Sequence, residues 1–189
     1  MVSVDQLISP SPDLIAQMTG MLTTKRYRCA TIYVDQYSRV GYVHLQNSTS
    51  GEDTVEGKKA FEQFAKDRNV SIQGYCADNG IFKDKVWVQA CKANNQRLKF
   101  AAVGAHHQNG HAERRIRELQ DLARTMMIHA NKRWPTSVTP NLWPYAIRMA
   151  NSVLNDTPIM QDKLRRSPMQ IFANTKVAIK PKHHPNCFK

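Results

Sequence analysis

Val2-Ser3-Val4-Asp5-Gln6-Leu7-Ile8 alternates apolar and polar residues, the period of a strand with one buried face. Ser9-Pro10-Ser11-Pro12 breaks that run. Two more strands are expected over 27–34 and 40–45, rich in aromatic and β-branched residues. The turn Asp35-Gln36-Tyr37-Ser38-Arg39 joins them into a hairpin. Over 52–68 the period lengthens to that of a helix, with Val55, Phe61, Phe64 and Ala65 on one stripe. Acidic residues come early in this segment and basic ones late, which suits the helix dipole. A strand over 70–77 follows, then a short helix over 83–94 that turns Val86, Trp87, Ala90 and Cys91 inward, then a strand over 98–103. Ala112, Ile116, Leu119, Ala123, Met126, Met127 and Ala130 recur at helical spacing and predict a long amphipathic helix over 109–133. Trp134-Pro135 ends it, and another helix over 141–155 precedes Thr157-Pro158. Beyond Arg165 the chain is basic and proline-punctuated, a pattern that predicts irregular structure.

This order of elements is α/β, and 189 residues suffice for one well-buried core. Lys and Arg number 27 against 15 Asp and Glu, a formal net charge of +12 with a pI near 9.8. Such an excess favours a polyanionic partner, because each phosphate contact releases condensed counterions. Charge alone is equally compatible with a generically basic protein. No run of eighteen apolar residues occurs, so no membrane span is expected, and no secretory signal precedes the first strand. The four cysteines (Cys29, Cys76, Cys91 and Cys187) have neither zinc-knuckle spacing nor the density of a disulfide framework. His183, His184 and Cys187 cluster without a second cysteine to complete a tetrahedral site. A reducing compartment is expected.

Two carboxylates stand out by context. Asp78 ends a strand and Glu113 opens a helix, so rigid elements present two hard oxygen donors of the kind a two-metal phosphoryl-transfer site needs. A third acid has two candidates, Asp5 and Asp35. The Asp35 side chain can also satisfy turn amides near Ser38, which is a structural role.

Tyr75-Cys76-Ala77-Asp78-Asn79-Gly80, Gln108-Asn109-Gly110-His111-Ala112-Glu113-Arg114-Arg115 and the Asp-x-Tyr-Ser-Arg turn at 35–39 resemble the catalytic core of retroviral-type integrases of the D,D-35-E type. The resemblance is to the copia class of retrotransposons in particular. It implies a ribonuclease-H-like fold: a five-stranded mixed sheet flanked by helices, in the order 3-2-1-4-5, with additional C-terminal helices. In that order the first and fourth strands are parallel neighbours, which sets Asp5 beside Asp78 and Asp35 toward the opposite end of the sheet. Asp5, Asp78 and Glu113 are then the expected catalytic and metal-binding triad, holding two Mg²⁺ or Mn²⁺ ions, with Asp5 bridging them. Asn109 is a candidate N-cap, and Gln108, Asn109, Gly110, Arg114, Arg115 and Arg117 are expected to contact nucleic acid.

The implied activity is DNA integration: a metal-dependent polynucleotidyl transferase performing 3′-end processing and strand transfer of element DNA into target DNA. The implied partners are those DNAs and further copies of the chain, with no membrane, in the nucleus or a cytoplasmic retroelement particle. A non-catalytic nucleic-acid-binding remnant and a ribonuclease-H-like nuclease are the alternatives, although the Gln-Asn-Gly-x-Ala-Glu context resembles integrases rather than nucleases. The resemblance spans 1–172 as a catalytic core and leaves 173–189 as a basic, irregular tail; the chain is expected to be a piece of a polyprotein or an element remnant. Thirty-four residues lie between Asp78 and Glu113, one fewer than is usual in the family, and the shortening falls after Asn79-Gly80.

Overall fold

The computed structural model describes residues 1–10, 26–101, 109–160 and 162–175. Strands β1 (Val2–Ile8), β2 (Cys29–Asp35) and β3 (Gly41–Gln46) form an antiparallel meander. Strands β4 (Gly74–Ala77) and β5 (Arg97–Phe100) lie parallel to β1 on its other side. The sheet order is β3-β2-β1-β4-β5. Helices α1 (Gly51–Lys66), α2 (Lys85–Ala93), α3 (Gly110–Arg133), α4 (Trp143–Asp156) and α5 (Pro168–Ala173) complete the described elements.

Alternation along β1 divides the core in two. Val2 and Val4 pack with Tyr33, Phe61, Tyr75, Ala77 and Trp87 beneath α1 and α2. Leu7 packs with Ala30, Ile32 and Val34 against Leu119 and Ala123 of α3 and Ile147 and Ala150 of α4. Phe61 is fully buried and stacks on Tyr33 with ring centroids 4.8 Å apart. Burying a ring of that size contributes roughly 1.5–3 kcal/mol. Ser50 caps α1 by accepting from the Asp53 N–H, and Glu52 and Asp53 stand at the positive end of its dipole. Lys58 is buried on the inner side of α1 and pairs with Glu62 at 2.9 Å. Glu62 also accepts from the Tyr75 hydroxyl and the Gln96 amide, so neither charge is left unsatisfied.

The β2–β3 turn is fastened at three points. The Asp35 carboxylate accepts from the Ser38 N–H at 2.8 Å and from its hydroxyl at 2.7 Å. Arg39 sits at φ 66°, a conformation uncommon for any residue with a Cβ. From α4, Asn155 brackets Gly41: its Oδ1 accepts from the Gly41 N–H at 2.8 Å and its Nδ2 donates to the Gly41 carbonyl at 2.7 Å. Asn151 donates to the same carbonyl at 2.9 Å. A Cβ on residue 41 would lie 2.6 Å from Asn151 Oδ1, so the approach of α4 requires glycine there.

Several expectations need correction. The ladder of β4 begins at Gly74 rather than at residue 70; Val70 instead donates its N–H to Ala65, and Ile72 packs beside Phe172. Val86 is 38% exposed, because Asp84 caps α2 and sets Trp87 and Cys91, not Val86, on the buried face. The segment after Arg165 is not wholly irregular. Ser167 and Gln170 form a reciprocal capping box with Pro168 at the first turn, which starts α5 and seats Phe172 in the core. Residues 176–189, including the His183, His184 and Cys187 cluster, lie outside the described residues. Among the described residues no helix is long and apolar enough to cross a membrane, and Cys29, Cys76 and Cys91 are buried thiols outside any disulfide.

Candidate active site

Strand register brings the first two acids together. In the parallel β1–β4 ladder Ser3 pairs with Cys76 and Val4 with Ala77, so one step further Asp5 stands opposite Asp78. Because Val4 and Ala77 belong to the core beneath α1, alternation turns Asp5 and Asp78 to the other face, the one that α3 covers. Asp35 pairs with Val2, three residues from Asp5 or about 10 Å along the strand at ~3.3 Å per residue. Its carboxylate is spent on Ser38.

The third acid arrives on a helix tied to the same strand. Asn109 immediately precedes α3 and is buried; its Nδ2 donates to the Val4 carbonyl at 3.1 Å. Glu113 follows one turn later, at the positive end of the α3 dipole. Asn109 therefore does not act as the expected side-chain cap: its amide goes to β1, and no cap hydrogen bond to α3 forms. Its Oδ1 is buried without a partner among the described residues.

Electrostatics registers this convergence. The Asp5 carboxyl is pushed up to about 6, first by burial and then by the charges of Asp78 and Glu113; the Gln6 N–H, donating to its Oδ1 at 2.8 Å, opposes the shift. Asp78 is exposed and folds back on its own turn, where its Oδ1 accepts from the Gly80 N–H at 3.1 Å. Asn79 anchors that turn to β5 by donating to the Ala101 carbonyl at 2.6 Å.

The donors suit a hard divalent cation, since all are carboxylate oxygens and the charges of Asp78 and Glu113 both reach Asp5. Their side chains are nevertheless not gathered into a ligand set: among the described residues no three His, Cys, Asp or Glu side chains are grouped so as to hold a metal ion. Asp5 and Asp78 each give an oxygen to a local backbone N–H, so convergence requires side-chain rotation on a backbone that already places them together.

The expected nucleic-acid contacts divide. Arg114 and Arg117 are exposed beside Glu113. Arg115 is buried, and its guanidinium donates to the Arg39 carbonyl. Burial depresses it, Glu118 opposes and Arg39 adds to the depression. It ties α3 to the β2–β3 turn and is not free to meet a phosphate. Asn109 is likewise occupied with Val4, while Gly110 is partly exposed. Gln108 lies outside the described residues. Helical arithmetic held a signal for Arg115, because it stands three residues from buried Ala112 and four from buried Leu119.

The fold is that of retroviral integrase catalytic cores. The chain is similar to the HTLV-2 integrase catalytic core domain in complex with magnesium: for the trimeric form the TM-score is 0.60 at 17% identity, covering 90% of this chain and 94% of that one. For the dimeric form the values are 0.59 and 18%, with the same coverage. It is also similar to a chain of the simian T-cell lymphotropic virus intasome in complex with the PP2A regulatory subunit B56 gamma, with TM-score 0.61 and 12% identity over 95% of this chain and 55% of that one. No protein-family model matches the sequence, and comparison with curated proteins finds no match.

Proposed function

We propose that this chain is a metal-dependent polynucleotidyl transferase of the copia type, which integrates retroelement DNA by 3′-end processing and strand transfer. The observation that carries this reading is the shared register position of Asp5 and Asp78 on the sheet face where Asn109 ties down the start of α3 and hence Glu113. Asp5, Asp78 and Glu113 would hold Mg²⁺ or Mn²⁺. A bound pair of such ions neutralises charge on the attacking and leaving oxygens of an in-line displacement at phosphorus.

In processing, a water oxygen attacks phosphorus near a DNA end and the P–O3′ bond breaks, so the outgoing nucleotides carry the phosphate away and the retained strand ends in a 3′-hydroxyl. In strand transfer that hydroxyl oxygen attacks a target phosphodiester, so that one P–O bond forms as another breaks. The protein contributes a rigid anionic platform, since two of its acids project from or directly follow paired strands and the third stands on a helix locked to one of them. The net charge of +12 supports a DNA partner. The magnesium-bound core to which the chain is similar supports a divalent ion, and the dimeric, trimeric and intasome forms of its neighbours support assembly as a homo-oligomer on DNA. This activity fits the nucleus or a retroelement particle.

A disintegration assay tests the reading, with Mg²⁺ or Mn²⁺ and a branched DNA substrate, alongside Glu113→Gln and Asp78→Asn. Joining by the wild type that disappears in both variants, with folding intact, supports it; undiminished joining in Glu113→Gln ends the metal-ligand assignment. The ungathered carboxylates favour one competitor, a nucleic-acid-binding module without chemistry. That reading predicts DNA binding with no joining at any divalent-ion concentration.

A further inference from the structure

The Asp-x-Tyr-Ser-Arg turn ends in a side chain that the site described above does not use. Arg39 is exposed, although its backbone is among the most firmly held in the hairpin. Asp35 ties the turn through Ser38, the Arg39 N–H donates to the Asp35 carbonyl at 2.9 Å, and buried Arg115 donates to the Arg39 carbonyl. The residue also carries the cost of φ 66°. A solvated surface arginine needs none of this support.

Its neighbours are cations. The Arg115 tie sets the turn against the first two turns of α3, where Arg114 is exposed next to Glu113. Arg39 and Arg114 both stand near enough to the His111 ring for their charges to act on it. The ion pairs within 4 Å among the described residues are Lys58–Glu62 and Arg166–Asp162, so neither Arg39 nor Arg114 has a carboxylate partner there. Glu118 acts on buried Arg115.

We propose that Arg39 and Arg114 form a two-pronged phosphate clamp, preset by Arg115, that holds the nucleic-acid backbone beside Glu113. The occupant is a phosphodiester backbone because guanidinium groups with no ion-pair partner within 4 Å among the described residues match closely spaced, singly charged phosphates. Arg39 is a binding residue and Arg115 a positioning residue for it. The clamp rests on the polynucleotidyl-transferase reading and names how that site takes its substrate.

The test is fluorescence anisotropy of the full chain with a labelled DNA duplex over a series of potassium chloride concentrations. Arg39→Asn keeps a side chain that tolerates positive φ and removes the charge. It should weaken binding about 3–10-fold at low salt and reduce the slope of log affinity against log salt by about one. Arg114→Gln, which leaves the turn's hydrogen bonds intact, should do the same. Lys59→Gln, an exposed cation on α1, should leave affinity at low salt close to wild type. Wild-type affinity and slope in both arginine variants would overturn the clamp while leaving the parent reading standing. If the wild type itself shows no salt-dependent DNA binding, both fall; if it binds and loses joining only in Glu113→Gln, the catalytic reading survives whatever Arg39 does.

Discussion

Asn109 donates its side-chain amide to the Val4 carbonyl across 105 residues of sequence, joining the strand that carries Asp5 to the helix that carries Glu113. This bond ties together, next to two of the three candidate ligands, the elements that carry them. Asn109→Ala should change stability little, by less than about 1 kcal/mol, because the unpartnered Oδ1 leaves with the bond and its burial cost offsets the loss. DNA joining should fall at least tenfold, chiefly in kcat. Urea unfolding beside single-turnover joining checks both; a stability loss proportionate to the activity loss would reduce Asn109 to an ordinary core residue.

Asp5 should make the metal-free protein less stable as pH rises. Its carboxyl goes from an ordinary 3.8 to about 6 on folding, so the native state keeps a proton that the unfolded chain releases. Stability from this group is therefore present below pH 4 and lost as pH climbs through 6. A shift of about two units at ~1.4 kcal/mol each amounts to roughly 2–3 kcal/mol. Asp5→Asn should accordingly stabilise the chain by up to about that amount at pH 7.5, and by almost nothing near pH 4, in chelator. Denaturant titrations at the two pH values measure it, and equal effects at both would contradict the burial of Asp5 beside negative charges.

Asp35 should behave in the opposite sense. Asp35→Ala deletes two bonds to Ser38 and should cost about 1–2 kcal/mol while leaving divalent-ion binding at Asp5 and Asp78 unchanged. Thermal melts and calorimetric Mn²⁺ titration separate the two roles.

For Arg115, the expected damage is to stability. Arg115→Met keeps most of the buried volume but leaves the Arg39 carbonyl without that donor, at about 1–3 kcal/mol. Unfolding measurements on Arg115→Met and Arg117→Gln should diverge, since Arg117 is exposed and its loss should be nearly silent.

Much of this arrangement is legible in the sequence, for definable reasons. Alternation in β1 and the Asp-x-x-Ser turn are local patterns, and both form as read. The adjacency of β1 and β4 is different, because alternation cannot say which strands pair; it came from resemblance, and the register bears it out. Ser167-Pro168-Met169-Gln170 is a capping box in plain sight, masked by reading the surrounding charge and prolines as irregular. The charge of Arg115 points to a surface position, although its spacing from Ala112 and Leu119 marks the buried stripe. Where Asp5 and Asp78 send their oxygens was not legible, since local N–H groups of Gln6 and Gly80 compete for them only once the backbone is in place.

The bracket that Asn155 places on Gly41 reaches beyond the hairpin. An outermost strand normally offers open N–H and C=O groups that another sheet can recruit, and this one has its first residue already plugged from α4. A second strand that paired at Gly41 would first have to prise α4 away, so that end of the rim is closed to strand-to-strand growth.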